Sequence, residues 1–122
     1  MRTPESEEMY LETIYRLKEH KGSVRSVDVV EELGYAKSSV SRGVNLLQNK
    51  GYITINTVTG DIQLTPEGMQ KASQVYERHR VLTKALMGIG ADRELAEENA
   101  CRIEHVISPE LFALLKKHVK ID

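Results

Sequence analysis

A chain of 122 residues with a net charge of −1 and a single cysteine excludes several classes of protein. One cysteine cannot form an intrachain disulfide and fits a reducing compartment, and no apolar run approaches the length of a membrane span. The N-terminal residues are polar and acidic, unlike those of a signal peptide. We therefore expect a cytoplasmic protein of one domain, or of one domain with a small appendage, that has no membrane partner.

The first half of the chain predicts a winged helix-turn-helix. Apolar residues recur at helical spacing in three segments, and two short segments rich in strand-forming residues follow them. The predicted elements are helices over 7–20, 26–33 and 37–50 and strands over 52–56 and 62–64. Ser26 is a suitable cap for the second helix. Helix, helix, turn, helix and hairpin in this order, with short links, are typical of a winged helix-turn-helix.

The second half predicts only helices. Thr65-Pro66-Glu67 starts the first of them, because a capping threonine, a proline in the first turn and an acid stand together. The predicted helices run from this start to about Met87, from an Asp92 cap through His105, and from Ser108 to about His118. The expected fold class is therefore mainly α.

A locally basic segment predicts the DNA-binding face. Residues 36–51 contain three bases and no acid, and in a helix-turn-helix the start of the second helix meets base edges in the major groove. Bases there can contact phosphates or guanine, and short hydroxyl residues allow close approach. The alternative is that the serines only cap the helix. The candidates, which include two threonines at the wing tip, are Lys37, Ser38, Ser39, Ser41, Arg42, Asn45, Thr57 and Thr59.

A locally acidic segment predicts a metal site. Residues 91–105 contain five acids against two arginines, which suits a cation. Cys101, Glu104 and His105 stand at i, i+3 and i+4, so on a helix they share one face. A thiolate, a carboxylate and an imidazole are a plausible ligand set for iron, cobalt, nickel or zinc. The alternative is a solvated helix face beside a small buried cysteine.

Several segments of the chain together resemble a known family. They are Glu8-Met9-Tyr10-Leu11-Glu12-Thr13-Ile14-Tyr15, Ser38-Ser39-Val40, Leu64-Thr65-Pro66-Glu67-Gly68, Arg78-His79-Arg80 and Cys101-Arg102-Ile103-Glu104-His105-Val106-Ile107-Ser108. In them the chain is similar to the metal-responsive bacterial repressors of the diphtheria toxin repressor (DtxR) and manganese transport regulator (MntR) type. Because the chain ends at Asp122, we expect it to resemble the short members that lack an SH3-like domain.

The resemblance implies a fold, partners and ligands. It implies a homodimer that binds double-stranded operator DNA through a winged helix-turn-helix at 1–64, with a linker helix and a helical metal-binding and dimerisation domain at 65–122. It implies no enzymatic activity and no organic substrate. The iron-type branch of the family uses a methionine with a Cys-x-x-Glu-His set. The residues that match this pattern are Met9, Cys101, Glu104 and His105.

Other positions match the family only in part. Glu12 matches a carboxylate of the manganese-type branch, and His79 matches a ligand of both branches. Where the iron-type branch has further Glu and His ligands, this chain has Thr83 and Glu97. A second site is therefore expected, if at all, from His79 with Glu12, Glu97 or Glu98. The number of metal ions per chain, one or two, stays open.

Ligand softness indicates the metal. Methionine and cysteine are soft ligands that disfavour Mn²⁺, so Fe²⁺ is the expected physiological ion, and Mn²⁺, Co²⁺, Ni²⁺ and Zn²⁺ are expected alternatives. A cation held by the first helix and by residues far along the chain would set the spacing of two recognition helices on DNA. The expected function is metal-dependent repression of metal-homeostasis genes.

Four alternatives stay open at this point. One is a Mn²⁺-responsive regulator of the same family. Another is a metal-independent winged-helix regulator with Cys101 as a redox switch. An enzyme with Cys101 as nucleophile and His105 as base lacks an orienting partner in the sequence. A structural zinc protein would be expected to carry more cysteine and histidine ligands.

Overall fold

The computed structural model describes the backbone of residues 4–119 and the side chains of residues 7–119. Within this range the chain forms helices and one two-stranded sheet. The elements are α1 (Pro4–Lys21), α2 (Ser26–Leu33), α3 (Lys37–Asn49), β1 (Ile53–Ile55), β2 (Ile62–Leu64), α4 (Pro66–Gly88), α5 (Arg93–Ile103) and α6 (Pro109–His118). The chain divides into two compact units, residues 1–73 and 74–122, with the boundary inside α4.

The described part of the first unit has an apolar core built from its helices and its hairpin. The apolar positions of each helix recur at helical spacing, so that each helix buries one face. The buried residues are Tyr10, Leu11, Ile14, Val24, Val29, Val40, Val44, Leu47, Ile53, Ile62 and Ala72. The predicted order of a winged helix-turn-helix is confirmed in these residues.

The N-cap of helix α2 lies one residue before the expected one, although the helix covers the predicted residues, Ser26–Leu33. Arg25 is the N-cap, with an extended backbone, and its N–H donates to the Asp28 carboxylate at 2.8 Å. The prediction that Ser26 caps this helix was therefore wrong, because the Asp28 side chain accepts the backbone N–H of Arg25, one residue before Ser26. Gly34 ends the helix in the left-handed conformation with φ 70°, which leads the chain into α3.

The hairpin formed by β1 and β2 is the wing. Ile53 pairs with Leu64 and Ile55 pairs with Ile62 in antiparallel register. The Asn56 side chain closes the tip by accepting the N–H groups of Val58 and Thr59, a common use of asparagine in turns. Since Ile62 also donates to the Val24 carbonyl at 2.7 Å, the wing is joined to the link between α1 and α2.

The start of α4 lies very close to Tyr52, the residue before β1. Thr65 donates its N–H to the Tyr52 carbonyl and its hydroxyl to the Gly51 carbonyl, and it accepts the Gly68 N–H. A Cβ on Gly68 would lie 1.9 Å from the Tyr52 carbonyl oxygen. The Thr-Pro-Glu-Gly sequence therefore combines a helix cap with a backbone approach that only glycine permits.

The second unit contains most of α4, then α5 and α6. Its buried apolar residues are Val75, Val81, Leu82, Ala96 and Ala100. Asp92 caps α5 as predicted, by accepting the Leu95 N–H. The expected extension of α5 through His105 was wrong, since the helix ends at Ile103 and turns follow. Among the described residues, no helix combines the length and apolar character needed to cross a bilayer.

Candidate metal centre and DNA-binding face

A buried carboxylate between two imidazoles marks the candidate metal centre of the second unit. Glu104 has no exposed surface. Its Oε2 lies 2.8 Å from Nδ1 of His79, and its Oε1 lies 3.3 Å from Nε2 of His105. A buried carboxylate is costly unless a cation or hydrogen-bond donors compensate its charge. The two rings are placed to give that compensation or to share a cation with Glu104.

The turn after α5 positions Glu104. Its N–H donates to the Ala100 carbonyl, which completes the last turn of the helix. Its own carbonyl accepts a hydrogen bond of 2.8 Å from the Arg78 guanidinium of α4. Carbonyl groups at a helix end lack partners within the helix, so Arg78 supplies one and fixes the residue whose side chain meets His79.

Helix α4 holds His79 from the other side. The His79 ring stacks on Tyr76 with 6.3 Å between centroids and 9° between planes. The buried Thr83 hydroxyl donates to the His79 carbonyl at 2.8 Å. Thr83, where the iron-type pattern has a glutamate, thus supports the backbone of His79 through its hydroxyl.

The remaining predicted ligands of the second unit lie on its surface. Cys101 is exposed on α5. Glu97 pairs with Arg93 at 3.1 Å, and Glu98 pairs with Arg102 at 3.5 Å, each four residues apart on the same helix. The structure therefore brings together Glu104, His105 and His79, and it places Cys101 and the two other glutamates at solvent.

The predicted ligands of the first unit lie on α1. Glu12 is buried, with an exposed fraction of 4%, and Met9 is half-buried one turn earlier. The Met9 carbonyl accepts the Thr13 hydroxyl at 2.7 Å, and its sulfur accepts the Tyr35 hydroxyl at 3.5 Å. Buried glutamates are rare in proteins unless they are paired or bind a metal.

Sequence reasoning missed the pairing of His79 with Glu104. The resemblance placed His79 in a possible second site, and local spacing could not pair it with Glu104, because spacing relates only residues on the same helix. One signal was present: Val75, His79 and Leu82 stand at i, i+4 and i+7 on α4, and all three are buried. A histidine on such an inward face must meet a buried polar partner.

The donor set of the second unit fits a divalent transition metal. Imidazole suits iron, zinc, copper and nickel, and carboxylate suits manganese and the harder ions. A ligating histidine commonly has its other ring nitrogen held by a neighbouring polar group. When bound, a cation would replace the contacts between Glu104 and the two rings with shared coordination.

The exposed face of α3 is the candidate DNA-binding face. Its exposed side chains recur one turn apart and lie opposite the buried Val40, Val44 and Leu47. They are Lys37, Ser38, Ser41, Arg42 and Asn45, with Ser39 half-buried beside them. The helix has Ala36 as its N-cap and no side-chain cap bond among the described residues. The alternative in which the serines cap the helix is therefore wrong.

The wing tip presents the other two predicted contacts. Thr57 and Thr59 are exposed. The wing is held at its base by Asp61, which accepts the Val24 N–H at 2.9 Å and the Lys18 ammonium at 3.1 Å. The hydrogen bond from the Val24 N–H lowers the pKa of Asp61 most, and the hydrogen bond from Lys18 lowers it next. Together they hold this pKa at about 2, below its usual 3.8. The first unit thus fixes the wing to the end of α1 by a charged contact.

Both halves of the chain match models of one repressor family. Residues 2–60 match the iron dependent repressor N-terminal DNA binding domain, and residues 65–120 match the iron dependent repressor metal binding and dimerisation domain. An HTH-type transcriptional regulator of Methanocaldococcus jannaschii is 31% identical over 114 residues, which cover 92% of this chain and 90% of the relative. The chain belongs to the iron-dependent repressor family.

Other members of this family are similar over most of the chain. The diphtheria toxin repressor of Corynebacterium diphtheriae is 33% identical over 93% of this chain and 50% of its own length. The solved structure of the manganese regulator SloR superposes with a TM-score of 0.82 at 26% identity, over 96% of this chain and 54% of that chain. The chain therefore spans about half the length of these two proteins.

Family membership confirms three of the predictions. It agrees with the DtxR/MntR resemblance and with the assignment to repressors and not to enzymes. It also agrees with the mainly α fold, which has an N-terminal DNA-binding domain and a C-terminal metal-binding and dimerisation domain. As a member of the iron-dependent repressor family, the chain is a metal-dependent transcriptional repressor. Iron is named by the family models and manganese by the SloR structure.

Proposed function

We propose that this protein represses metal-homeostasis genes by binding double-stranded operator DNA as a homodimer when it is loaded with a divalent metal ion. The observation that carries the proposal is the buried Glu104 carboxylate with an imidazole at each oxygen. Such a group changes its surroundings strongly when a cation enters, because the interior amplifies charge interactions.

The metal is bound by Glu104, His105 and His79, with Met9 and Glu12 of α1 as further ligands. The burial of Glu12 and the resemblance of α1 to the family support this set. Cys101 is the soft ligand of the set in the iron-loaded protein, although its side chain is exposed in the structure. Glu97 and Glu98, each in a surface ion pair, are the ligands proposed for a second and weaker site.

The physiological metal is Fe²⁺. The thioether of Met9 and the thiol of Cys101 support it, because soft sulfur ligands disfavour Mn²⁺. Mn²⁺ is the second candidate. It is favoured by the burial of Glu104 and His79 and the exposure of Cys101, since carboxylate and imidazole alone suit a harder ion. Co²⁺, Ni²⁺ and Zn²⁺ also suit this mixed donor set.

A homodimer is supported by the surface of the second unit. Helix α6 has no buried residue among those described, and several apolar side chains of α5, of the turn after it and of α6 face solvent. Four of them, each more than half exposed, are Leu95, Val106, Leu111 and Leu114. Exposed apolar patches of this kind mark association surfaces. A second copy of the chain covers this surface, and the symmetric pair presents two recognition helices to half-sites about one helical turn apart, or a multiple of it.

The metal acts as co-repressor by shifting a population. Ligands from α1 and from the helices beyond it are tied together only when the cation is present, so the metal binds the DNA-competent form more tightly. Reciprocity then requires DNA to tighten metal binding by the same factor.

The proposal is tested by anaerobic DNA binding at fixed salt, because salt alone changes such affinities strongly. A pool of random duplexes is selected with protein and Fe²⁺, and the affinity of the selected duplex is measured with Fe²⁺, with Mn²⁺ and with chelator. We expect tight binding with metal and at least a tenfold loss with chelator, the scale of allosteric coupling being about 5–150-fold. Equal affinity in all three conditions would overturn the proposal.

The same DNA-binding assay, with Fe²⁺ or Mn²⁺ titrated into the Cys101→Ser variant, gives the apparent affinity for each ion and so separates iron from manganese. If Cys101 is a ligand, the substitution weakens Fe²⁺ binding more than Mn²⁺ binding, because the hydroxyl is a harder donor than the thiolate. Equal effects on both ions would instead assign the site to the carboxylate and imidazole donors. The second candidate, Mn²⁺, would then be preferred.

A further inference from the structure

The sulfur of Met9 is engaged by a tyrosine of the helix-turn-helix. The Tyr35 hydroxyl donates to Met9 Sδ at 3.5 Å. Tyr35 lies in the turn between α2 and α3, beside the left-handed Gly34. A thioether is a weak acceptor, and a sulfur that donates a lone pair to a metal ion becomes a still weaker one. A residue of the DNA-binding motif, Tyr35, thus forms a hydrogen bond with the side chain of Met9, a proposed metal ligand.

Tyr35 is linked to the recognition helix, α3, by the side chain of Tyr10. Its ring meets the Tyr10 ring edge-to-face, with 6.3 Å between centroids and 86° between planes. The Tyr10 hydroxyl donates to the Ser39 carbonyl of α3 at 3.4 Å. A Cβ on Gly43 would lie 2.4 Å from the Tyr10 ring, so α3 lies directly on this buried side chain.

We propose that Tyr35 is a positioning residue that couples metal ligation at Met9 to the setting of the recognition helix. The proposal rests on the proposed function, in which Met9 is a metal ligand. In the metal-free protein the Tyr35 hydroxyl holds the thioether and stabilises the form with low DNA affinity. When Met9 Sδ binds a metal ion, the Tyr35 hydroxyl loses its hydrogen bond. The Tyr35 ring then no longer constrains Tyr10 beneath α3.

The first test is a double-mutant cycle on metal affinity. Tyr35→Phe keeps the ring and removes only the hydroxyl that competes with the metal. We expect Fe²⁺ affinity to rise about threefold, the size of a weak hydrogen bond to a sulfur acceptor, and metal-free DNA affinity to rise with it. In a Met9→Leu background the same change has no effect on metal affinity. Tyr52→Phe, a half-buried tyrosine elsewhere in the first unit, is the matched control.

The second test needs no metal. The chain has four methionines, so methyl-labelled methionine gives few NMR signals, and Met9→Leu assigns that of Met9. Tyr35→Phe is expected to shift the Met9 methyl signal in the metal-free protein, and Tyr52→Phe to leave it in place. An unmoved Met9 signal, or unchanged metal affinity in Tyr35→Phe, would overturn the coupling. If wild-type protein bound no metal, the proposed function would fail separately, whatever the methyl signal showed.

Discussion

The His79 ring on α4 lies 2.8 Å from the Glu104 carboxylate that follows α5. These two residues are 25 positions apart in the chain, and Arg78 contacts the backbone of the same glutamate. A buried pair of this kind either shares a proton or shares a metal ion. Family membership is the reason to propose a metal ion, and the geometry is the reason to propose these side chains as its ligands.

Glu104→Gln removes the charge of the buried carboxylate and keeps its size. We expect metal affinity to fall by at least about 10- to 100-fold, since loss of even an outer-shell partner costs that much. Isothermal titration with Fe²⁺ or Co²⁺ under anaerobic conditions measures it. Glu94→Gln, on the exposed face of α5, is the control. Equal affinities in the two variants would remove Glu104 from the site.

Arg42→Ala removes one exposed cation from the DNA-binding face. We expect weaker binding to every duplex and a salt dependence whose slope is smaller by about 1, as for the loss of one phosphate contact. Fluorescence anisotropy over a range of salt concentrations measures both. Lys84→Ala, an exposed cation on α4, should change neither quantity. A slope identical to that of wild type would show that Arg42 does not contact phosphate.

Leu114→Glu introduces a charge into the apolar surface of α6. Because a symmetric dimer brings the same patch of each copy together, two carboxylates would be buried at once, and we expect a monomer with weak DNA binding. Analytical ultracentrifugation gives the oligomeric state. Val58→Glu, at a wing-tip position that is 91% exposed, should remain dimeric. A dimeric Leu114→Glu protein would place the interface elsewhere.

Gly68→Ala tests the close approach of α4 to Tyr52. With a Cβ position 1.9 Å from a backbone oxygen, the helix start must move, and we expect a loss of about 1–3 kcal/mol in the free energy of unfolding. Gly88→Ala on the same helix has no atom within 4 Å of its Cβ, so it should be neutral or stabilising. Urea unfolding measures the stability of both variants, and equal unfolding midpoints would contradict the proposed clash.

Asp61 makes stability depend on acid. Its pKa in the folded protein is about 2, against 3.8 ordinarily, so its contribution is complete above the higher value and disappears as pH falls towards the lower one. The difference in Tm between wild type and Asp61→Asn should therefore shrink between about pH 5 and about pH 2. Glu94→Gln, exposed on α5, is the control. A constant difference across this range would show that the carboxylate charge is not responsible.

The sequence predicted the elements well where local chemistry decides them. The third helix and the second strand were expected at 37–50 and 62–64 and lie at Lys37–Asn49 and Ile62–Leu64. Errors occurred at ends, where one side chain decides. The N-cap of α2 is Arg25, which donates its N–H to Asp28, and not Ser26; α5 ends at Ile103, two residues before His105.

The candidate site was harder to predict, because its parts are distant in sequence. Helical offsets grouped Cys101 with Glu104 and His105, but α5 ends between them and leaves Cys101 exposed. The partner of Glu104 on α4 could not be inferred from spacing, since it depends on how two helices of the second unit pack. The face of α3 was predictable, because its pattern lies within one helix.

The central claim is that Glu104 and its two imidazoles hold one cation, and anomalous diffraction tests it most directly. Crystals are grown anaerobically with Co²⁺ in place of the oxidation-prone Fe²⁺, and data are collected on both sides of the cobalt absorption edge. We predict a cobalt peak within bonding distance of the Glu104 carboxylate and of the His105 or His79 ring. Cobalt found only at Glu97, Glu98 or other surface residues, with Glu104 still bonded to His79, would contradict the claim.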